Sequence, residues 1–267
     1  MTDAPHATEA APRCTVCAAT LEPFDTGVVL RKYEVEFHRC PACGLIAAPD
    51  PTWLEEAYSS AIYDGDTGLL RRSRVLSTVT AALIRSEGLS RGRFLDWAGG
   101  YGALARMMRD KGFDFYTVDA YAKNLLAPGF DGDEHAAYDM VTAFEVMEHI
   151  ADPVAELQEM LANKDRFFFT TQLQPPVPPR PGEWFYYALD SGQHITFHTV
   201  ASLRIVAERL GFELTSNGDN YHLFHRGPIR PATRVLLSRK LAKASRGTVA
   251  AARRTVARGR SRGRTPA

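Results

Sequence analysis

Leu95-Asp96-Trp97-Ala98-Gly99-Gly100-Tyr101-Gly102 is the stretch whose reading decides the fold. Arg93-Phe94-Leu95 leads into it as an apolar strand, and Ala103-Leu104-Ala105-Arg106-Met107-Met108 leaves it as a helix. A Gly-rich turn between a strand and a helix lets the backbone pass close to a ligand, because glycine has no Cβ and adopts positive φ at no steric cost.

Two further segments follow in register. Tyr116-Thr117-Val118-Asp119 ends in an acid at the tip of the next strand, where a carboxylate can accept ribose hydroxyls. Tyr138-Asp139-Met140-Val141-Thr142-Ala143-Phe144-Glu145 is a third strand ending in an acid. An ordinary βαβ turn and a nicotinamide-cofactor fold share the glycines and the spaced acid, but the third segment is no part of the dinucleotide fingerprint. Together the three resemble a class I S-adenosylmethionine-dependent methyltransferase. The resemblance implies a doubly wound, Rossmann-like α/β sheet with an antiparallel last strand. It places S-adenosyl-L-methionine (SAM) against Asp96, Ala98, Gly100 and Gly102, with Asp119 on the ribose and Glu145 nearby. One position departs from the family's Asp-x-Gly-x-Gly-x-Gly. Ala98 replaces the first glycine, which is tolerable if φ stays negative there.

All four cysteines lie in the first 43 residues, as Cys14-x-x-Cys17 and Cys40-x-x-Cys43. Two such knuckles suit tetrahedral Zn2+, and no secretion-type apolar run favours the rival reading of two disulfides. Val28-Val29-Leu30 and Tyr33-Glu34-Val35-Glu36-Phe37 read as two strands of a small zinc ribbon, with Gly44 in the tight turn of the second knuckle. Four thiolates leave no open coordination position, so the expected role is structural.

The 267 residues carry a formal charge of +1 that hides an asymmetry. From Arg226 onward there are 13 Lys and Arg and no acid, whereas residues 1–225 hold 19 basic residues and all 31 acids. No stretch approaches the length of a membrane span, making cytoplasm the expected address. The expected organisation is a disordered start over 1–13, the ribbon over 14–48, a helical linker over 49–90, the methyltransferase domain over 91–227 and a basic tail over 228–267. Thr52 reads as the cap of a helix beginning at Trp53, and Arg71–Ser86 as an amphipathic helix whose Arg71, Arg72 and Arg74 form a solvated face. The tail's apolar positions between Ala232 and Arg258 recur at helical spacing among Lys and Arg. A basic amphipathic helix suits an anionic membrane surface or an acidic partner, a solubilising tail being the plain alternative. No adenine-contacting residue is named, because Leu125–His135 reads as loop.

A methyltransferase needs a cofactor pocket and, where the nucleophile carries a proton, a base. His194 and His149 are the candidate catalytic residues. His149 closes a Glu145-x-x-Glu148-His149 pattern common in related enzymes. His194 lies in a segment, Trp184–His198, that resembles methyltransferases of polysaccharide and natural-product biosynthesis. Related sugar C-methyltransferases also begin with a four-cysteine unit, and carry Glu-His where this chain has Gln193-His194. A neutral amide orients a ligand but takes no proton, so C-methylation is in doubt. The run Pro175–Pro181 is too stiff for a floppy linker and is expected to hold Trp184, Tyr186 and Tyr187 over the site as a lid, stacking on an acceptor or simply packing. The expected acceptor is a small molecule: a sugar, sugar nucleotide or secondary metabolite. The basic tail keeps RNA methylation as an alternative, against an acidic body that suits RNA poorly. A non-catalytic binding protein on this fold is the third.

Overall fold

The computed structural model describes residues 11–58 and 68–238. The charge-rich tail beyond 238, and with it most of the expected amphipathic helix, lies outside the described residues.

The chain begins with a hairpin of β1 (Glu22–Val29) and β2 (Tyr33–Arg39), followed by β3 (Ile46–Ala47). Both strands of the hairpin run beyond the segments expected from sequence, and Leu30 belongs to the turn with a φ of 53°. Then come α1 (Leu54–Ala57) and α2 (Leu69–Glu87). Trp53, not Thr52, is the N-cap residue of α1, and no side chain caps it. Strands and helices alternate from there: β4 (Arg93–Trp97), α3 (Ala103–Asp110), β5 (Asp114–Val118), β6 (Met140–Phe144), α4 (Pro153–Met160) and β7 (Arg166–Thr170). Asp152 starts α4 by accepting from the Val154 and Ala155 N–H groups, with Pro153 at a position where no donor is needed. The chain continues with β8 (Thr196–Phe197), α5 (Val200–Arg209), β9 (Glu213–Ser216), β10 (Tyr221–His225) and α6 (Pro231–Leu236).

Six strands form one sheet in the order β5-β4-β6-β7-β10-β9. The first four are parallel, and β10 runs antiparallel to both β7 and β9. The sequence alternates apolar residues to two buried faces, which is why Arg166–Thr170 reads as a nearly continuous apolar run. Phe167 and Phe169 pack on one side with Leu157 of α4 and Leu203 and Val206 of α5. Phe168 packs on the other with Leu83 of α2 and Leu104 and Met108 of α3. Each buried phenylalanine contributes about 2–3 kcal/mol. Between Asp119 and Tyr138 there is no strand, only a parallel bridge of Thr117 with Asp131 beside β5.

The ribbon strands form a second sheet in the order β1-β2-β3-β8. Its last strand comes from the far end of the chain, a pairing the sequence did not disclose. Helix α5 ties this unit down at both ends. Thr199, its N-cap, donates to the Cys43 carbonyl at 2.7 Å, and Arg209 in its last turn donates to the Thr15 and Val16 carbonyls at 2.7 and 2.9 Å. The cysteine unit therefore packs on the α5 face of the large sheet. No helix among the described residues is long and apolar enough to cross a membrane.

Candidate active site

A cavity of about 400 Å³ opens at the carboxyl edge of β4, β5 and β6. This is where open parallel sheets place ligands, because successive strands there send their connections to opposite faces. Asp96, Ala98, Gly99, Gly100, Tyr101 and Asp119 line one end. Glu145, His149, Tyr186, Gln193 and His194 line the other, with Leu69, Arg72 and Ser73 of α2 along a wall. Of the expected catalytic and cofactor residues only Gly102 lies outside the lining. It stands at the start of α3 with a φ of 82°, where an added Cβ would run into the Asn124 side chain. Arg72 is exposed, as expected of the solvated face, and also lines the cavity.

The turn keeps left-handed φ at alternate positions: 54° at Ala98, 58° at Gly100 and 82° at Gly102. Ala98 thus holds the backbone shape of the missing glycine, contrary to the negative φ expected of it, at a cost of about 1 kcal/mol. Asp96 is buried and its Oδ1 accepts from Thr142 Oγ1 at 2.7 Å. Burial pushes its carboxyl up to about 7, against that one hydrogen bond. Asp119 Oδ2 accepts the Gly100 N–H, and Oδ1 accepts those of Tyr121 and Ala122, all at 2.8 Å.

At the far end, Glu145 has a φ of 57° and is anchored on β7, where Thr170 Oγ1 donates to its Oε1 at 2.7 Å. Glu148 and His149 sit on a single 3-10 turn, Met147–His149, just beyond β6. Burial pushes Glu145 and Glu148 up to about 7, with Glu148 adding to the shift at Glu145. Burial lowers both His149 and His194, so the imidazoles are neutral at pH 7. The two rings meet edge to face with centroids 4.9 Å apart. His194 Nδ1 lies 2.6 Å from the Tyr186 carbonyl. A carbonyl only accepts, so Nδ1 carries the proton and Nε2 presents a lone pair.

The aromatic cluster divides between lining and packing. Tyr186 faces the cavity, whereas Tyr187 is buried against Phe37 and Phe197 and its hydroxyl donates to the Pro179 carbonyl at 2.9 Å. Phe185, which sequence reasoning did not single out, also lines the cavity. Gln193 Nε2 donates to the Ala57 carbonyl at 2.9 Å, holding α1 against this loop.

The four cysteines form their own cluster, with one sulfur from each within 4.8 Å of the others. Cys14 and Cys43 Sγ atoms are 3.7 Å apart and those of Cys17 and Cys40 3.3 Å, with no disulfide. Ligands on a tetrahedral zinc with Zn–S bonds of about 2.3 Å sit roughly 3.8 Å apart, so the set fits that ion. Each knuckle closes on a left-handed residue, Ala18 after Cys17 and Gly44 after Cys43, whose N–H donates back to the first cysteine's carbonyl.

The methyltransferase-domain family matches residues 70–217. The chain belongs to that family. The match runs from α2 through β9, and so includes the helix that forms one wall of the cavity. No curated protein sequence matches the chain. Solved structures that match this chain include CalO1, a methyltransferase in calicheamicin biosynthesis with bound SAH, at 16% identity. It aligns over 57% of this chain and 54% of its own, with a TM-score of 0.41. The mitomycin 7-O-methyltransferase MmcR is 14% identical over 57% of this chain and 54% of its own, with a TM-score of 0.43. Magnesium protoporphyrin IX methyltransferase from Synechocystis PCC 6803, with bound SAH, is 14% identical over 65% of this chain and 91% of its own, with a TM-score of 0.41. The chain thus spans about half the length of CalO1 and MmcR.

Proposed function

We propose that this protein is a SAM-dependent methyltransferase acting on a hydroxyl of a small-molecule acceptor, such as a sugar, sugar nucleotide or secondary metabolite. The observation that carries the reading is one cavity joining the glycine turn and Asp119 to a neutral imidazole whose Nε2 is open. Its volume is that of a small-ligand site.

When bound, the cofactor supplies an already activated methyl group on a sulfonium. Asp96, Ala98, Gly99 and Gly100 would border its methionine portion, and Asp119, whose oxygens already hold the turn, would meet the ribose. The same turn leaves open space at Gly100, where an added Cβ would meet nothing within 4 Å. His194, oriented by the Tyr186 carbonyl, would take the acceptor's hydroxyl proton at Nε2 as the oxygen bonds to the methyl carbon and the carbon–sulfur bond breaks. Tyr186 and Phe185 would flank the acceptor. His149 would hold the His194 ring in place rather than handle a proton, since its own ring packs edge-on against it. The four cysteines would hold structural zinc that fixes β3, and through it β8 beside His194.

The test is transfer of radiolabelled methyl from the cofactor into two pools, small-molecule extract and total RNA, with wild type and His194→Ala. Label in the small-molecule pool that falls by about 10²–10⁴ in the variant, with cofactor affinity kept, supports the reading. Label only in RNA would make RNA the substrate. Absence of cofactor binding by calorimetry would leave a binding protein on this fold.

A further inference from the structure

Beside the end of the cavity away from the glycine turn, three groups of metal-ligand type converge: His149 and His194, which line it, and the fully buried Glu148. One ligand atom each of Glu148, His149 and His194 lies within 4.8 Å of the other two. They come from two segments that the backbone locks together: the Ile195 N–H donates to the Glu148 carbonyl at 2.9 Å, and Thr196 Oγ1 donates to the carbonyls of Met147 and Ile150 at 3.0 and 3.1 Å. The convergence is therefore built into the fold.

The ligand atoms are prepared in the way metal sites require. His194 is engaged through Nδ1 by the Tyr186 carbonyl, and His149 through Nδ1 by the Tyr58 hydroxyl at 2.7 Å. The carbonyl fixes the His194 tautomer and leaves its Nε2 free to ligate, whereas the Tyr58 hydroxyl can donate or accept and permits the same tautomer at His149 by accepting from Nδ1. Glu148 is fully buried, and neither of its carboxylate oxygens has a hydrogen bond of good geometry among the described residues, the Tyr186 and Thr171 hydroxyls and the Arg72 charge acting on it only loosely. Such loose contacts compensate a buried carboxylate only in part. Its Oε1 lies 4.0 Å from His194 Nε2, too far for a hydrogen bond. Two ligands on one ion with bonds of about 2.1 Å sit roughly 3–3.5 Å apart, so an ion would draw the pair together by less than about 1 Å.

We propose that Glu148, His149 and His194 bind a divalent transition-metal ion at the acceptor end of the cavity, distinct from the cysteine cluster. One carboxylate and two imidazoles suit Zn2+, Fe2+ or Co2+ and leave coordination positions open. An acceptor oxygen on such a position would give up its proton more readily through the ion's Lewis acidity, the proton passing to solvent water in the cavity. His194 Nε2 would then be a ligand, and its service as proton acceptor would belong to the metal-free protein. The inference concerns the same cavity but does not rest on methyl transfer, since it is read from metal content.

The experiment uses the full chain, dialysed against Co2+ and then freed of loosely bound metal, with zinc, iron and cobalt per chain counted together by mass spectrometry. Exchange within the cysteine cluster leaves that sum unchanged. Wild type should hold two equivalents, and Glu148→Gln one, with SAH affinity and melting temperature showing that the variant is folded. One equivalent in wild type overturns the proposal. So does a folded Glu148→Gln that keeps two. Should that variant not fold, the cobalt spectrum of a second wild-type equivalent decides: bands without thiolate charge transfer support the site, and thiolate bands alone overturn it.

Discussion

The Gly100 backbone N–H donates to Asp119 Oδ2 at 2.8 Å, so the acid at the tip of β5 holds the glycine turn that follows β4. Its other oxygen caps the next loop through Tyr121 and Ala122. A single carboxylate therefore shapes both walls of the turn end of the cavity. Asp119→Ala should lower SAM affinity by more than tenfold and destabilise the fold by about 1–3 kcal/mol, since three backbone donors lose their acceptor. Calorimetry and denaturant unfolding measure the two effects. Unchanged affinity in a folded variant would remove Asp119 from the cofactor site.

Ala98 sits at a φ of 54° where glycine would sit without strain. Ala98→Gly should stabilise the protein by about 1 kcal/mol, because the relief of left-handed strain exceeds the added chain entropy of glycine. A melting temperature higher by a few degrees is expected. A lower one would mean that the Ala98 methyl packs usefully in the cavity wall.

Asp96 gives a pH signature. Its folded carboxyl is pushed to about 7, from an ordinary value of 3.8, by burial. Being raised, it favours the folded state most below about pH 4, and that contribution is lost as pH rises toward 7. Asp96→Asn should therefore flatten the decline in stability of the cofactor-free protein across that window. The ionised form is the one that suits a cationic cofactor, so SAM affinity should strengthen as pH rises toward 7, by at most tenfold per unit. SAH, lacking the sulfonium charge, should show a weaker dependence. Equal slopes in wild type and Asp96→Asn would separate Asp96 from both effects.

The cysteine cluster reaches the site through sheet pairing. Ile46 and Ala47, just beyond Cys43, pair with Phe197 and Thr196, two or three residues from His194. Cys40→Ser should abolish the proposed zinc binding and lower methyl transfer as well as stability. Zinc content, melting temperature and turnover, measured together, check this. Full turnover without zinc would show that β8 keeps its place unaided.

Helix α6 is held by a buried ion pair. Glu87 accepts from Arg166 Nε at 3.1 Å and from the Arg230 N–H at 3.0 Å, beside Thr233. Glu87→Gln should cost about 1–3 kcal/mol by weakening these charge-assisted bonds. Chemical denaturation at neutral pH reads the loss, and a change within error would show that α6 is held by Ile229 and Leu237 packing instead.

Much of this was legible along the chain because the signals are local. A strand, a Gly-rich turn and a helix within sixteen residues fix β4 and α3, and Asp152-Pro153 and Thr199 mark helix starts by side-chain chemistry that acts over three residues. The family reading made from those segments is borne out by the match over residues 70–217. Less legible were the features in which two distant segments meet. Nothing local announces that Thr196-Phe197 completes the ribbon sheet, that Arg72 faces the cavity, or that Tyr187 packs while Tyr186 lines.

The sequence by itself determined the order of elements, the family and the two cysteine knuckles, because hydrophobic period, turn residues and ligand spacing act between neighbours. Tertiary structure alone decided the φ of Ala98, the second hydrogen-bond duty of Asp119, and the meeting of Glu148 and His149 with His194, 45 residues further on from His149. Those depend on which surfaces are pressed together when the sheet closes. Burial and through-space contact, unlike spacing, have no one-dimensional record.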